Sequence, residues 1–248
     1  MSVSKVFVIA EAGINHQGRL DTAMQLIAAA KAAGADACKF QAFTPSVLAP
    51  GNWERQAMLK GLALTRDELI MCAAETRSRG LEFLVTPMDA DWLAFCVETL
   101  RVKRIKIGSA QAGDAAFVQA VAATRLPVII SNGMAAPSVF AQAVNEWLYD
   151  VDDVTVMSCI SQYPTDDTMV EMSALAVLRN DFPERKVGFS SHARGFWPSV
   201  AAVYAGATVI ECHLALEDCT SPDATSSLLP EEFQAMVREI RVAEKMRG

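Results

Sequence analysis

Apolar, strand-like runs alternate with helix-like segments eight times along this chain, and that alternation constrains its fold more than any other feature. Runs near 6–11, 37–43, 81–86, 103–109, 127–132, 154–160, 186–191 and 208–214 have the composition and length of strands. Helical patterns fall near 19–33, 66–80, 90–100, 114–124, 137–148, 170–180, 197–205 and 230–246. Gly34, Gly80 and Gly206 hand a helix over to the next strand, as a left-handed cap residue does. Strands alternating with helices of this size build βαβ units on a parallel sheet. Eight such cycles in 248 residues predict an α/β chain folded as a single (β/α)8 TIM barrel over residues 1–248. The competing architecture, a doubly wound sheet, needs a glycine-rich phosphate loop after the first strand, and EAGINHQG does not supply one. The longest irregular stretch, Thr44 to about Thr65, contains Pro45, Pro50, Gly51 and Trp53 and reads as a lid or binding loop.

Polar residues interrupt the strand-like runs at their C-terminal ends. VFVIAE ends in Glu11, ACKFQ carries Lys39 and Gln41, RIKIGS carries Lys106, VGFSSH ends in His192 and TVIECH ends in His213. Side chains two apart on a strand share a face, so in a closed barrel these groups point inward at the open end. A buried ionisable group is costly unless something pairs with it. Lys39 and Lys106 suit a ligand bearing phosphate and carboxylate groups, because lysine offers a compact positive charge. The alternative is structural ion pairing with Glu11 or Glu211. His192 and His213 end neighbouring strands about 4.8 Å apart, close enough to share one divalent cation, with Glu211 on the same face as His213. Core packing is the alternative for the two histidines. Asp223, in the SPDATSSL loop, reads either as a general base over the barrel mouth or as a turn aspartate. Thr86, Ser109, Ser131, Asn132, Ser161, Tyr163 and Ser190 follow strands and offer hydrogen bonds to an anion. His16 belongs either to a tight turn with Gly18 or to a substrate loop.

The remaining composition excludes more than it assigns. A net charge of −7 argues against a nucleic-acid partner. No basic, apolar leader opens the sequence and no apolar stretch is long enough to cross a bilayer, so the expectation is a cytoplasmic protein with no membrane partner. The six cysteines form no C-x-x-C pair and read as reduced packing residues, with Cys212, between Glu211 and His213, set apart as the one near chemistry.

IAEAGINHQG, AGADACKFQAF, VTPMD, KIGSAQAGD, PVIISNGMA, SQYPT, VGFSSHARG and AVYAGATVIECH follow one another in order across nearly the whole chain. Together they resemble the sialic acid synthase family, which includes N-acetylneuraminate synthases and their legionaminic and pseudaminic relatives. The resemblance implies a TIM-barrel transferase of carbohydrate biosynthesis. Such an enzyme condenses phosphoenolpyruvate with an amino-sugar aldehyde to a sialic-acid-like nonulosonic acid and releases phosphate. It implies a divalent metal, manganese first with magnesium or cobalt as alternatives, held by His192 and His213. Carried over by motif, Lys39, Gln41, Lys106 and Ser109 hold phosphoenolpyruvate, Thr86, Ser131 and Ser190 lie around it, and Glu11 is the first-strand carboxylate. Asp223 lies beside the acceptor sugar; Glu11, Asp223 and a metal-bound water are all left as proton carriers.

The departures fall on the acceptor side. Gln111 replaces a glutamate, Ser191 the aspartate of SDH, Cys212 a basic residue, SPDA the GPDH motif and Ser161 the asparagine before Tyr-Pro, beside Tyr163. The match is to the barrel part alone, without the family's C-terminal antifreeze-like domain. Expected partners are therefore the two small substrates, a second copy in a homo-oligomer, and a separate antifreeze-like protein. A catalytically altered barrel that binds phosphoenolpyruvate or an acidic metabolite, and a divergent aldolase, are the alternative functions.

Overall fold

The computed structural model describes residues 5–247. The elements run β1 (Phe7–Gly13), α1 (Leu20–Ala32), β2 (Ala37–Ala42), α2 (Pro45–Leu48), α3 (Trp53–Leu62), α4 (Arg66–Ser78), β3 (Glu82–Pro87), α5 (Ala90–Glu98) and β4 (Ile105–Ile107). They continue with α6 (Ala115–Ala123), β5 (Val128–Ser131), α7 (Pro137–Gln142), β6 (Val154–Cys159), α8 (Ser173–Asp181), β7 (Lys186–Ser191), α9 (Trp197–Tyr204), β8 (Val209–Leu214), β9 (Ser227–Leu228) and α10 (Pro230–Arg247). Strands pair in parallel in the order β3-β2-β1-β8-β7-β6-β5-β4, which is the order of a (β/α)8 barrel, and β9 adds to the end of β8.

The alternation of side chains sorts the residues into two apolar layers. On β1, Val8, Ala10 and Ala12 face the helices and join the large outer core, whereas Phe7, Ile9 and Glu11 face the axis. Ile9, Ala37, Leu84, Ile129, Met157 and Val209 fill the N-terminal half of the barrel interior. The polar residues two positions further along the same strands therefore stand above an apolar plug. Their height is set by register: Glu11 pairs with Lys39 on one side and His213 on the other, and Ser190 pairs with Glu211.

The stretch between Thr44 and Thr65 keeps its expected place at the barrel mouth but is not irregular. Pro45 opens α2 at its first turn, and the Asn52 side chain caps α3 by accepting from the Arg55 amide at 3.0 Å. Ile14, Phe43, Ala49 and Leu59 form a small separate core that seats these helices on the rim. Proline, glycine and asparagine at 45, 50–52 marked helix starts here and not a continuous loop.

Candidate active site

Above the plug, four ionisable side chains from four strands meet in one layer. The Lys39 ammonium lies 2.8 Å from Glu11 Oε2 and 3.7 Å from Glu211 Oε1, and Lys106 lies 3.6 Å from the same Glu211 oxygen. Lys39 also donates to Thr86 Oγ1 at 3.0 Å, Gln41 Nε2 donates to Glu11 Oε1 at 3.1 Å, and Ser190 Oγ donates to Glu211 Oε1 at 3.2 Å. Lys39 and Lys106 are only 2% and 4% exposed. The ion pairs anticipated as an alternative for the lysines are thus present, and Glu211 is the hub between them.

Burial and proximity set the charges. Burial pushes Glu211 up, but Lys106 and Lys39 outweigh it and hold its carboxyl at about 2. Burial pulls Lys39 down, and the two glutamates more than reverse this. Glu11, with a weaker cationic surround, is raised by its burial, and Lys106 is lowered by its own. Glu211 and Lys39 are the firmly ionised members of the layer.

One storey higher sit the two imidazoles, with ring centroids 5.4 Å apart. Tyr163 stacks on His192 at 4.0 Å and meets His213 edge-on at 5.8 Å. His192 Nδ1 lies 2.6 Å from the Ile160 carbonyl oxygen, so in the neutral ring this nitrogen carries the proton and Nε2 keeps a free lone pair. His213 Nδ1 is buried without a hydrogen-bond partner among the described residues and stands 3.6 Å from Asp223 Oδ2. Burial raises the Asp223 carboxyl to about 6. Among the described residues no group of three or more His, Cys, Asp or Glu side chains is arranged to hold a metal ion. The unpartnered His213 Nδ1 and the free Nε2 of His192 fit a divalent cation, which these two histidines would hold.

The layers open into a cavity of about 500 Å³. Glu11, Lys39, Gln41, Thr86, Lys106, Ser109, Ser131, Ser161, Tyr163, Ser190, His192 and His213 all line it, and Ser131 Oγ is buried there with no partner. Asp223 stands beside it on the loop between β8 and β9. The outer wall is apolar, built from Ile14, Phe43, Leu48, Leu59, Met88 and Met134, with Arg55 from α3.

Three residues, Cys212, Cys159 and Asn132, fall elsewhere than anticipated, and for His16 the structure decides between two readings. Cys212 points to the helix layer, where its thiol meets Ser199 Oγ at 3.0 Å, because it alternates with the inward Glu211 and His213. The thiol that lines the cavity is Cys159, 3.7 Å from Ser109 Oγ, whose inward direction follows from Met157 two positions earlier. Asn132 turns away from the ligand space to accept from the Cys159 amide at 3.0 Å. His16 packs on the outward Phe40 and accepts from the Gly18 amide, so it belongs to a turn.

Comparison with known proteins gives this geometry a lineage. The NeuB family model matches residues 26–248. The chain belongs to the NeuB family. It is 34% identical over 98% of its length to the N,N'-diacetyllegionaminic acid synthase of Legionella pneumophila, covering 73% of that protein. It is 33% identical to the pseudaminic acid synthase of Campylobacter jejuni, covering 98% of this chain and 75% of the relative. Among solved structures, the N-acetylneuraminic acid synthetase of Leptospira borgpetersenii in complex with citrate superposes with a TM-score of 0.94 at 29% identity. The match covers 99% of this chain and 86% of that one. The NeuB assignment and the buried lysine–glutamate layer come from independent observations, one of ancestry and one of geometry.

Proposed function

We propose that this NeuB-family barrel condenses phosphoenolpyruvate with an amino-sugar aldehyde to a nonulosonic acid, with release of phosphate. The observation that carries this reading is the pair of buried ammonium groups, Lys39 and Lys106, on the barrel floor directly beneath two imidazoles. A small ligand with three or four negative oxygens is the natural occupant of such a floor. Lys39 and Lys106 take its phosphate and carboxylate, helped by Gln41, Thr86, Ser109, Ser131 and Ser190 around the cavity. The orphaned Ser131 hydroxyl supplies a donor that nothing among the described residues uses.

The bond bookkeeping is simple. The enol-ether methylene carbon attacks the aldehyde carbon and forms the new carbon–carbon bond, while the aldehyde oxygen gains a proton. Positive charge develops at C2, and water adds there and loses the proton that balances the one gained by the aldehyde oxygen. As the C2–O bond to phosphate breaks, the remaining hydroxyl proton leaves with the phosphate to give a keto acid. His192 and His213 would hold a divalent cation, which when bound would supply Lewis-acid polarisation of the aldehyde. Glu211 and Glu11 lie beneath the developing positive charge and stabilise it. Asp223 has no lysine or arginine partner among the described residues and lies 3.6 Å from His213 Nδ1, which supports it over Glu11 as the proton carrier. Ser161 and Tyr163 line the cavity, with Tyr163 against both imidazoles, which supports them as acceptor-side residues.

The reaction calls for small-molecule substrates only. No helix among the described residues is long and apolar enough to cross a membrane, and all six cysteines are free thiols, which suits a cytoplasmic enzyme that draws on phosphoenolpyruvate. The test is phosphate release from phosphoenolpyruvate across a panel of N-acylated amino-sugar aldehydes, with manganese and with chelator. Turnover with at least one acceptor, stopped by chelation, is expected. No turnover with any acceptor, together with no phosphoenolpyruvate binding by calorimetry, overturns the reading.

A further inference from the structure

Asp223 differs from the floor and imidazole residues in its support. Glu11, Lys39, Lys106 and His213 are held on strands by backbone ladders, whereas Asp223 rides on the irregular segment between β8 and β9. Asp223 opens a single 3-10 turn, Ala224–Ser226, and a turn this short takes its place on the barrel from contacts beyond itself. The candidate lies on the opposite side of the β1–β8 seam. Asn15, just past β1, is 1% exposed, and every hydrogen bond of its side-chain amide among the described residues goes to the β8–β9 region.

The amide uses its full bonding capacity. Nδ2 donates to the Leu214 carbonyl at 2.8 Å and to Ser227 Oγ at 2.9 Å, which are the residues where the segment leaves β8 and enters β9. Oδ1 accepts from the Ser221 hydroxyl and lies 3.6 Å from the Cys219 thiol, both within the segment. Ser227 Oγ in turn donates to the Asp223 carbonyl at 2.7 Å, and the Ser221 carbonyl accepts from the Ala224 amide at 3.1 Å. Asn15 therefore fastens the start, middle and end of the segment to one point. Aspartate has the same shape but no N–H to offer the Leu214 carbonyl, so this brace needs an amide.

We propose that Asn15 is a positioning residue for the condensation, holding the Asp223 carboxylate beside His213 through Ser221 and Ser227. The inference rests on the functional reading above and extends it to a residue that touches no substrate. Asn15→Ala, Asn15→Asp and Ser227→Ala are made in the otherwise native chain and in an Asp223→Asn background.

The expected result is a fall in kcat of about 10- to 100-fold for both Asn15 variants, the usual consequence of displacing a reacting group by about an ångström. Ser227→Ala loses less, in the same direction. The KM for phosphoenolpyruvate stays within about twofold in all three, because the lysine floor is untouched. In the Asp223→Asn background the same changes cost nothing further, as expected of residues acting through one group. A crystal structure of Asn15→Ala shows Asp223 displaced with the Lys39–Glu11 pair unmoved. Additive losses in the Asp223→Asn background, or Asp223 unmoved in the crystal, overturn the proposal. Should the Asn15 variants fail to fold, Ser227→Ala in the two backgrounds decides by the same criteria. If the native protein turns over no acceptor, the condensation reading has failed, and the crystallographic arm still decides whether Asn15 holds Asp223.

Discussion

Lys39 and Glu11 face each other at 2.8 Å inside the barrel, on adjacent strands whose register pairs them directly. Their side chains are almost wholly withdrawn from water. Such a pair is held in place as much by the cost of separating it as by its own attraction.

Removing Lys39 leaves Glu11 and Glu211 without their shared cation. Lys39→Ala is expected to destabilise the fold by about 3–5 kcal/mol in urea unfolding. Phosphoenolpyruvate affinity by calorimetry drops at least tenfold if the ammonium is also a ligand. Undiminished affinity in a folded Lys39→Ala protein would take Lys39 out of the binding floor.

His213 belongs to the upper storey and has no direct contact with the Lys106 ammonium at hydrogen-bonding range. Replacing it by alanine is expected to weaken manganese binding by about 100-fold or more, beyond what loss of an outer-shell partner costs. Phosphoenolpyruvate binding without metal changes little. Isothermal titration with each ligand separates the two effects, and full metal affinity in His213→Ala would exclude it as a ligand.

Gly13 adopts φ +49°, and a Cβ placed there meets Glu11 Oε1 at 3.2 Å, with Asp223 Oδ2 and Gln41 Nε2 at 3.4 Å. Gly13→Ala should lose about 1–2 kcal/mol from the left-handed backbone alone. The methyl group also presses on three polar side chains that converge on the site. A fall in kcat larger than the change in thermal stability accounts for is expected; native activity would mean that the three groups can move aside freely.

His16 gives the protein an acid-sensitive point away from the cavity. Burial lowers its imidazole from 6.5 to about 4, so the folded state resists the proton that the unfolded chain accepts. Its contribution is intact above about pH 6.5 and is lost as the pH falls toward 4, amounting to about 3 kcal/mol from the shift at 1.36 kcal/mol per unit. Chemical denaturation at pH 7, 5.5 and 4 should show a shallower decline for His16→Asn than for the native chain. Parallel declines would contradict this.

Two buried thiols offer a direct check on strand alternation. Cys159 opens to the cavity, while Cys212 is sealed against Ser199 and its thiol is pushed up to about 12 by burial. A small methanethiosulfonate reagent should modify Cys159, and phosphoenolpyruvate should slow that modification. In a Cys219→Ser background, which removes the half-exposed thiol, labelling at Cys212 ahead of Cys159 would reverse the inward and outward assignment.

Much of this site could be read from period-two spacing alone. Ile9–Glu11, Ala37–Lys39–Gln41 and Val209–Glu211–His213 each run from plug to floor along one face, and the polar residue in each marks the height at which the apolar filling stops. The same rule, applied to Met157, points to Cys159, and applied to Glu211 it excludes Cys212. Proximity in sequence to two site residues was the weaker guide there. What spacing cannot supply is the partner of a loop residue. Asn15 and Ser227 lie at opposite ends of the chain, and only closure of β1 against β8 brings them together. The helices over the mouth were hidden for a related reason: α2 and α3 are short, and they are stabilised by a private cluster around Leu59 and Phe43 and not by a long amphipathic stripe.

The apolar filling around Ile9 and Met157 has one more effect. A shaft stopped at its base admits traffic from a single side, so both substrates enter, and both products leave, through the mouth on which α2 and α3 are seated.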